Sequence, residues 1–260
     1  MSFAKGSQAF RKSDSTLGIL STIARNSMKI TIHRFFCSVL FAAAFSLPSF
    51  AESPKFTDRF DIAKDDLSAS GKSNYFILEP GYSATYEGKE DDEPTVLTIT
   101  VTHETKTVDG VETRIVEEKE SAGGELKEIS RNYFAISKTT GNVYYFGEDS
   151  ATYKNGKVSN REGSWTAGIS GAHFGLGLPG KPKVGDAYYQ ELAPKVAMDR
   201  AEVVSVSEIV KTPVGEFKDC IKTEETSALE KGKEYKLYAP GVGLVQDAKL
   251  KLTKVSHGAK

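Results

Sequence analysis

Residues 212–252, TPVGEFKDCIKTEETSALEKGKEYKLYAPGVGLVQDAKLKL, decide the fold. They read as three consecutive antiparallel strands. The first covers 217–223, the charged stretch Glu230-Lys231-Gly232-Lys233 reverses the chain, the second covers 235–238, and the corner Pro240-Gly241-Val242-Gly243 leads into a third over 244–252. Each run is short, rich in aromatic and β-branched residues, and bounded by Gly or Pro. Such punctuation favours extended backbone with tight reversals over helix.

The same grammar continues toward the N-terminus. Residues 201–210 and 186–192 read as strands. Leu97, Ile99 and Val101 alternate with Thr98, Thr100 and Thr102, the pattern of a half-buried antiparallel strand. Asp109-Gly110 supplies a tight hairpin, because Gly accepts positive φ without a Cβ clash. Residues 111–120, 126–137 and 142–147 follow as strands, and Asn155-Gly156 turns the chain between 151–153 and Val158. Earlier, 74–78 reads as a strand entering the Pro80-Gly81 turn and continuing over 82–86, before an acidic loop at 87–93. No helical period interrupts this series, which argues against a parallel α/β fold. The expectation is an all-β domain over 74–254: a single antiparallel meander forming a strongly curved sheet or incomplete barrel. A short N-terminal helix or polar lead-in precedes it over 52–73, where Phe56, Phe60, Ile62, Ala63 and Leu67 recur in a partly helical pattern, and a tail follows at 255–260.

The start of the chain has another character. From Met28, MKITIHRFFCSVLFAAAFSLPSFAES has a basic opening, an apolar core over 35–47 and a small-x-small site at Ser49-Phe50-Ala51. We read 28–51 as a secretory signal peptide cleaved between Ala51 and Glu52. The core falls short of the roughly 20 apolar residues a spanning helix needs, so no membrane span is expected once the signal is removed. On this reading Met28 is the initiator and residues 1–27 are a mis-assigned upstream extension. The destination is the periplasm or the extracellular medium.

Charge and cysteine usage narrow the partners. The net charge is −1, and removing residues 1–51 takes six basic residues and one acidic one, leaving −6. Nucleic acid is therefore not an expected partner, since neutralising phosphates needs a concentrated basic face. Cys220 is the one cysteine beyond the signal; no intramolecular disulfide is available, and the residue reads as a small buried hydrophobe.

Residues 168–185, GISGAHFGLGLPGKPKVG, break the strand rhythm. They match neither the G-x-x-x-x-G-K-[ST] nor the G-x-G-x-x-G phosphate pattern, and read as a long crossover. Apolar side chains on such a loop suit a cover over an apolar cavity. The candidate ligand-binding residues are therefore Trp165, Phe174, Leu176, Leu178, Tyr188 and Tyr189. Catalytic and metal signatures are not found. His103, His173 and His257 lack ligand spacing, Asp91-Asp92-Glu93 lacks the alternation of a calcium loop, and Gly163-Ser164-Trp165 lacks the second glycine of a nucleophile elbow. No cofactor and no enzymatic activity are expected; two close carboxylates or a buried His-Asp pair in a pocket would reverse that.

Pro213-Val214-Gly215-Glu216-Phe217-Lys218-Asp219-Cys220 followed by Tyr238-Ala239-Pro240-Gly241-Val242-Gly243-Leu244-Val245 resembles a "P-x-G-x-F-x-x-C … Y-x-x-G-V-G-L-V" signature. That signature marks a loose group of uncharacterised exported bacterial β-meander proteins. Val184-Gly185-Asp186-Ala187-Tyr188 resembles the group's "V-G-D-x-W/Y" turn, and Tyr75-Phe76 through Pro80-Gly81 and Tyr86 its N-terminal strand pair. The resemblance implies the fold and export, and transfers no catalytic residue. The expected function is a non-enzymatic binding module for an apolar small molecule or lipid. The alternative is a structural or protein-interaction module that receives a partner chain along an exposed sheet edge.

Overall fold

A computed structural model describes residues 55–257. The signal-peptide reading, the Ala51/Glu52 cleavage site and the leading 27 residues lie outside them. The described chain is almost wholly antiparallel β. Its strands are β1 (Leu67–Ser68), β2 (Ser83–Glu90), β3 (Glu93–Val108), β4 (Val111–Ala122), β5 (Glu125–Ser137), β6 (Val143–Lys154), β7 (Lys157–Asn160), β8 (Trp165–Thr166), β9 (His173–Leu178), β10 (Ala187–Tyr189), β11 (Glu191–Leu192), β12 (Asp199–Thr212), β13 (Gly215–Ser227), β14 (Glu234–Ala239), β15 (Gly243–Asp247) and β16 (Leu250–Ser256). The lead-in contributes one turn of 3-10 helix, Lys64–Asp66.

The opening stretch folds as read, with one difference. β13, β14 and β15 are neighbours in sequence order, but 244–252 is not one strand. The chain reverses between Asp247 and Leu250, which face each other in the ladder, and Ala248 takes the turn at φ 46°. The other tight hairpins carry the expected chemistry: Asp109-Gly110 and Asn155-Gly156 sit at positive φ.

The sheet runs in the order β10-β12-β13-β14-β15-β16-β2-β3-β4-β5-β6-β9-β11 and forms a nearly closed barrel with one seam. Its two ends are the same piece of chain. β10 pairs with β12, β11 pairs with β9, and only Gln190 separates them, its N–H bonded to the Asp199 carbonyl at 2.8 Å. Gly175 makes this closure sterically feasible, since a Cβ there would stand 2.2 Å from the Gln190 carbonyl oxygen. β7 is a short free edge, four exposed residues paired only to β6. The β12–β13 hairpin extends past its neighbours, and register shifts interrupt its pairing between Val203 and Val210.

Two readings are corrected by the fold. Residues 74–78 are not a sheet strand. Tyr75, Phe76 and Ile77 instead line an apolar chamber with Tyr82, Tyr86, Val101, Phe134, Tyr238 and Leu244, and Leu78 is fully buried. A run apolar on every side is better satisfied inside the barrel end than on a pleat with one wet face. Residues 168–185 are not a structureless crossover either: β9 lies within them, with Leu176 and Leu178 buried.

Candidate functional site

The polar signal of this molecule sits on β6. Its sequence Tyr145-Phe146-Gly147-Glu148 places two buried aromatic side chains and a buried carboxylate in one short run. Gly147 has φ 146°, and a Cβ on it would come within 2.6 Å of the Trp165 carbonyl oxygen. With no side chain there, β8 lies directly across β6, pairing Gly147 with Thr166 and Glu148 with Trp165. Glu148 and Trp165 therefore reach the same cleft.

That cleft has a volume of about 370 Å³. Its floor is Tyr133, Glu148 and Trp165, and one wall is the turn holding Ile169 and Ala172. The turn is ordered by backbone bonds from Gly168 N–H to Ala172 O (2.9 Å) and from Ile169 N–H to Thr166 O (3.2 Å). The opposite wall is the Ala193–Ala197 turn, closed by Ala193 N–H to Ala197 O at 2.8 Å. Ala193, Pro194 and Val196 face the cleft from it. At the rim, the Lys106 ammonium stands 4.0 Å over the Tyr133 ring.

The electrostatics are unusual for an interior. Glu148 is 2% exposed. One carboxylate oxygen accepts from the Tyr145 hydroxyl at 3.3 Å, and the other, Oε1, has no partner. The Tyr145 hydroxyl also donates to Asn132 Oδ1 at 2.5 Å, and Asn132 Nδ2 donates to Ser130. The Trp165 indole N–H is likewise unpartnered, although the ring packs edge-on against Tyr145 at 5.4 Å. Glu191, 1% exposed, is likewise buried with Oε1 unpartnered. Burial pushes the Glu148 carboxyl up to about 8, and the charges of Glu128 and Glu118 add to it. Glu191 is raised well above the carboxylate range by burial, then by Asp199 and Glu148. The Trp165 N–H is oriented to favour the ionised form of Glu191 but stands short of a full hydrogen bond. Unpaired buried polar atoms are rare, because each forfeits its water without replacement.

The six residues expected to bind ligand do not converge. Trp165 alone lines this cleft, joined by the start of the Gly-rich stretch at Ile169, Ser170 and Ala172. Phe174 turns inward to stack on Phe146 at 4.9 Å, and Leu178 is fully buried in the core. Leu176 and Tyr188 line a separate groove of about 460 Å³ with Lys181 and Lys183. Tyr189 packs on Phe56 at 6.1 Å. Glu148 and Glu191 were not anticipated; strand parity alone carries no sign that an acidic side chain points inward.

A second acidic surface lines the barrel mouth, where Glu90, Glu118, Glu120, Glu128, Glu234 and Asp247 converge from β2, β4, β5, β14 and β15. Among the described residues no group of three or more His, Cys, Asp or Glu has metal-holding geometry. Comparison of the chain with family models, curated proteins and solved structures returns no match.

Proposed function

We propose that the chain is an exported binding module that takes a small molecule with an apolar body and a polar head in the cleft over Glu148 and Trp165. One observation carries the reading. Glu148 and Trp165 both line an open cleft large enough for a ligand of modest size, and each keeps a buried polar atom without a hydrogen bond. A bound head would supply the missing hydrogen bonds, while Ile169, Ala172, Ala193 and Val196 would cover an apolar body. The expected lipid or apolar ligand keeps its tail in this reading and gains a polar end.

Trp165 is the sole tryptophan, so its fluorescence reports the cleft directly. The test is native mass spectrometry of the protein from an exporting host, with extraction of bound material, followed by titration of Trp165 emission with what is recovered. A co-purifying small molecule that alters the emission, and loses its effect in Ile169→Asp, is the expected result. A bare protein whose emission no amphiphile changes overturns the reading. Export is tested separately by sequencing the N-terminus of the host-processed protein, with Glu52 expected first.

The carboxyl pair supplies a second reading. A Glu raised to about 8 stays protonated near neutral pH and suits a general acid, with Glu191 near enough to feel its charge. Turnover of aryl glycosides or esters that disappears in Glu148→Gln would establish catalysis, and no turnover leaves binding.

A further inference from the structure

The groove of about 460 Å³ that holds Leu176 and Tyr188 shares no lining residue with the Glu148–Trp165 cleft and differs from it in charge. Lys55, Lys181 and Lys183 line it against one acidic residue, Asp186, an excess of two positive charges. Residues 52–260 together carry −6, so the charge of the chain at large does not account for that excess. Among the described residues none of the three ammoniums forms an ion pair or a hydrogen bond. Asp186 is committed to its own turn: Oδ2 accepts from the Lys183 N–H at 2.7 Å, and the Asp186 N–H donates to the Lys183 carbonyl at 3.0 Å. Backbone contacts hold the lining in place. The Gly180 N–H donates to Asn142 Oδ1 at 2.9 Å, and a Cβ on Gly180 would stand 2.2 Å from the Thr140 carbonyl oxygen, so the stretch leading into the two lysines lies tight against the turn between β5 and β6. Pro182, with its fixed φ, stiffens the link between them. The segment carrying Lys55 and Phe60 is anchored where the Thr57 N–H donates to the Ala187 carbonyl and the Tyr189 N–H to the Thr57 carbonyl, both at 2.9 Å.

We propose that this groove binds a small phosphate monoester, its phosphate met by the lysine ammoniums and its apolar portion by Phe60, Leu176 and Tyr188. A monocarboxylate would leave one positive charge over. A phosphate monoester carries about −1.5 to −2 charge near pH 7 and three strong acceptor oxygens, which matches the excess. Lysine suits it, because an ammonium on a flexible four-carbon stem pairs with phosphate as a point charge and needs no fixed fork geometry. A nucleic acid would need a wider basic face than three lysines give. The proposal is independent of what the Glu148–Trp165 cleft binds.

Calorimetric titration of the full chain at low ionic strength tests this with phenyl phosphate, benzoate and phenol. Phenyl phosphate is expected to bind at least about tenfold more tightly than benzoate, and phenol not at all. The affinity should fall as salt is raised to about 0.3 M, where screening shortens the reach of each charge. Lys181→Gln/Lys183→Gln is expected to weaken binding at least about tenfold with the melting midpoint unchanged, because both side chains are exposed. Lys157→Gln/Lys231→Gln removes two exposed lysines outside the groove and is expected to keep the affinity within about twofold. Trp165 emission should stay constant throughout. Vesicles of phosphatidylcholine with and without phosphatidic acid identify the source of the phosphate. Sedimentation with phosphatidic acid alone, lost in Lys181→Gln/Lys183→Gln, assigns a lipid headgroup; no sedimentation, with phenyl phosphate bound in solution, assigns a free ester. Undetectable binding of phenyl phosphate, benzoate bound as tightly, an equal loss in the two double variants, or a Trp165 response that survives Lys181→Gln/Lys183→Gln overturns the proposal.

Discussion

Glu148 and Trp165 are cross-strand partners where β8 lies across β6, and each keeps one buried polar atom without a hydrogen bond. The indole N–H is thus a cost in the unliganded fold, while the ring is an asset. Trp165→Phe removes the donor and keeps an aromatic ring, so its melting midpoint should match or exceed that of the parent. Trp165→Ala also removes the packing on Tyr145 and should cost about 3–5 kcal/mol. A phenylalanine variant as unstable as the alanine one would mean the N–H is satisfied in solution.

Stability should fall as the pH rises through neutrality. Burial lifts Glu148 to about 8 and, helped by Glu90 and Glu128, Glu120 to about 7; burial also raises Glu90 and Glu234. A carboxyl in the unfolded chain titrates near 4.3. The folded state therefore binds more protons between that value and about 8. The stabilisation is full below the unfolded value and is lost as the pH climbs through 7 and 8. Melting midpoints measured from about pH 5 to about pH 9 should decline across that window, and Glu148→Gln with Glu120→Gln should flatten the slope. A rising profile would place these carboxylates in water.

Closure of the barrel should depend on a missing side chain. A Cβ at Gly175 would meet the Gln190 carbonyl oxygen at 2.2 Å, and the Tyr189 carbonyl oxygen at 2.7 Å. Gly175→Ala must push the closing segment off β9. Hydrogen exchange should accelerate in residues 187–192 and 173–178 first, with about 2 kcal/mol or more lost overall. Unchanged protection there would show that the seam does not hold the two edges together.

Much of this architecture was readable in the chain because turns carry strong local chemistry. Asp109-Gly110, Asn155-Gly156 and the Pro240–Gly243 corner each fall where a ladder reverses. The Ala248 turn was not readable, because nothing about Ala announces positive φ. β9 was hidden by the glycines its position demands, since close approach to neighbouring backbone excludes the β-branched residues that signal a strand. Facing was the hardest to read. On β14 both Leu237 and Tyr238 are buried, so apolarity does not select the inward face. That face carries Glu234, Lys236 and Tyr238, while the Tyr235 hydroxyl donates to Glu224 at 2.7 Å and its ring lies under Lys222. Trp165 stood out as the lone tryptophan beside a Gly-rich stretch. Glu148 did not, because its neighbour Asp149 is exposed and the pair reads as an ordinary charged surface.

Tyr235 and Tyr238 convert that parity into numbers. Tyr238 is fully buried, so Tyr238→Ala should cost about 3–5 kcal/mol. Tyr235 is only half-buried, and Tyr235→Ala should cost about 1 kcal/mol, the scale of one hydrogen bond. Thermal melts of the two variants decide it, and a larger loss at Tyr235 than at Tyr238 would mean the strand is turned the other way.

Lys236 is the charge that keeps the barrel interior viable. Its side chain is 5% exposed, and the ammonium lies 3.5 Å from Glu225 and 3.3 Å from Asp247. Burial lowers its proton affinity, but the Asp247 and Glu225 carboxylates outweigh that and hold it charged. Lys236→Met leaves both carboxylates without their cation and should cost about 3–5 kcal/mol at neutral pH. The loss should shrink on acidification, as the stranded carboxyls take protons. Converting both acids as well, in Lys236→Met/Glu225→Gln/Asp247→Asn, removes the charges along with the cation and should recover most of the stability, since replacing a whole buried ionic cluster costs far less than breaking it. Denaturant titrations of the single and triple variants at two pH values distinguish these states. A triple variant no more stable than the single one would show that Lys236 acts through packing of its stem and not through its charge.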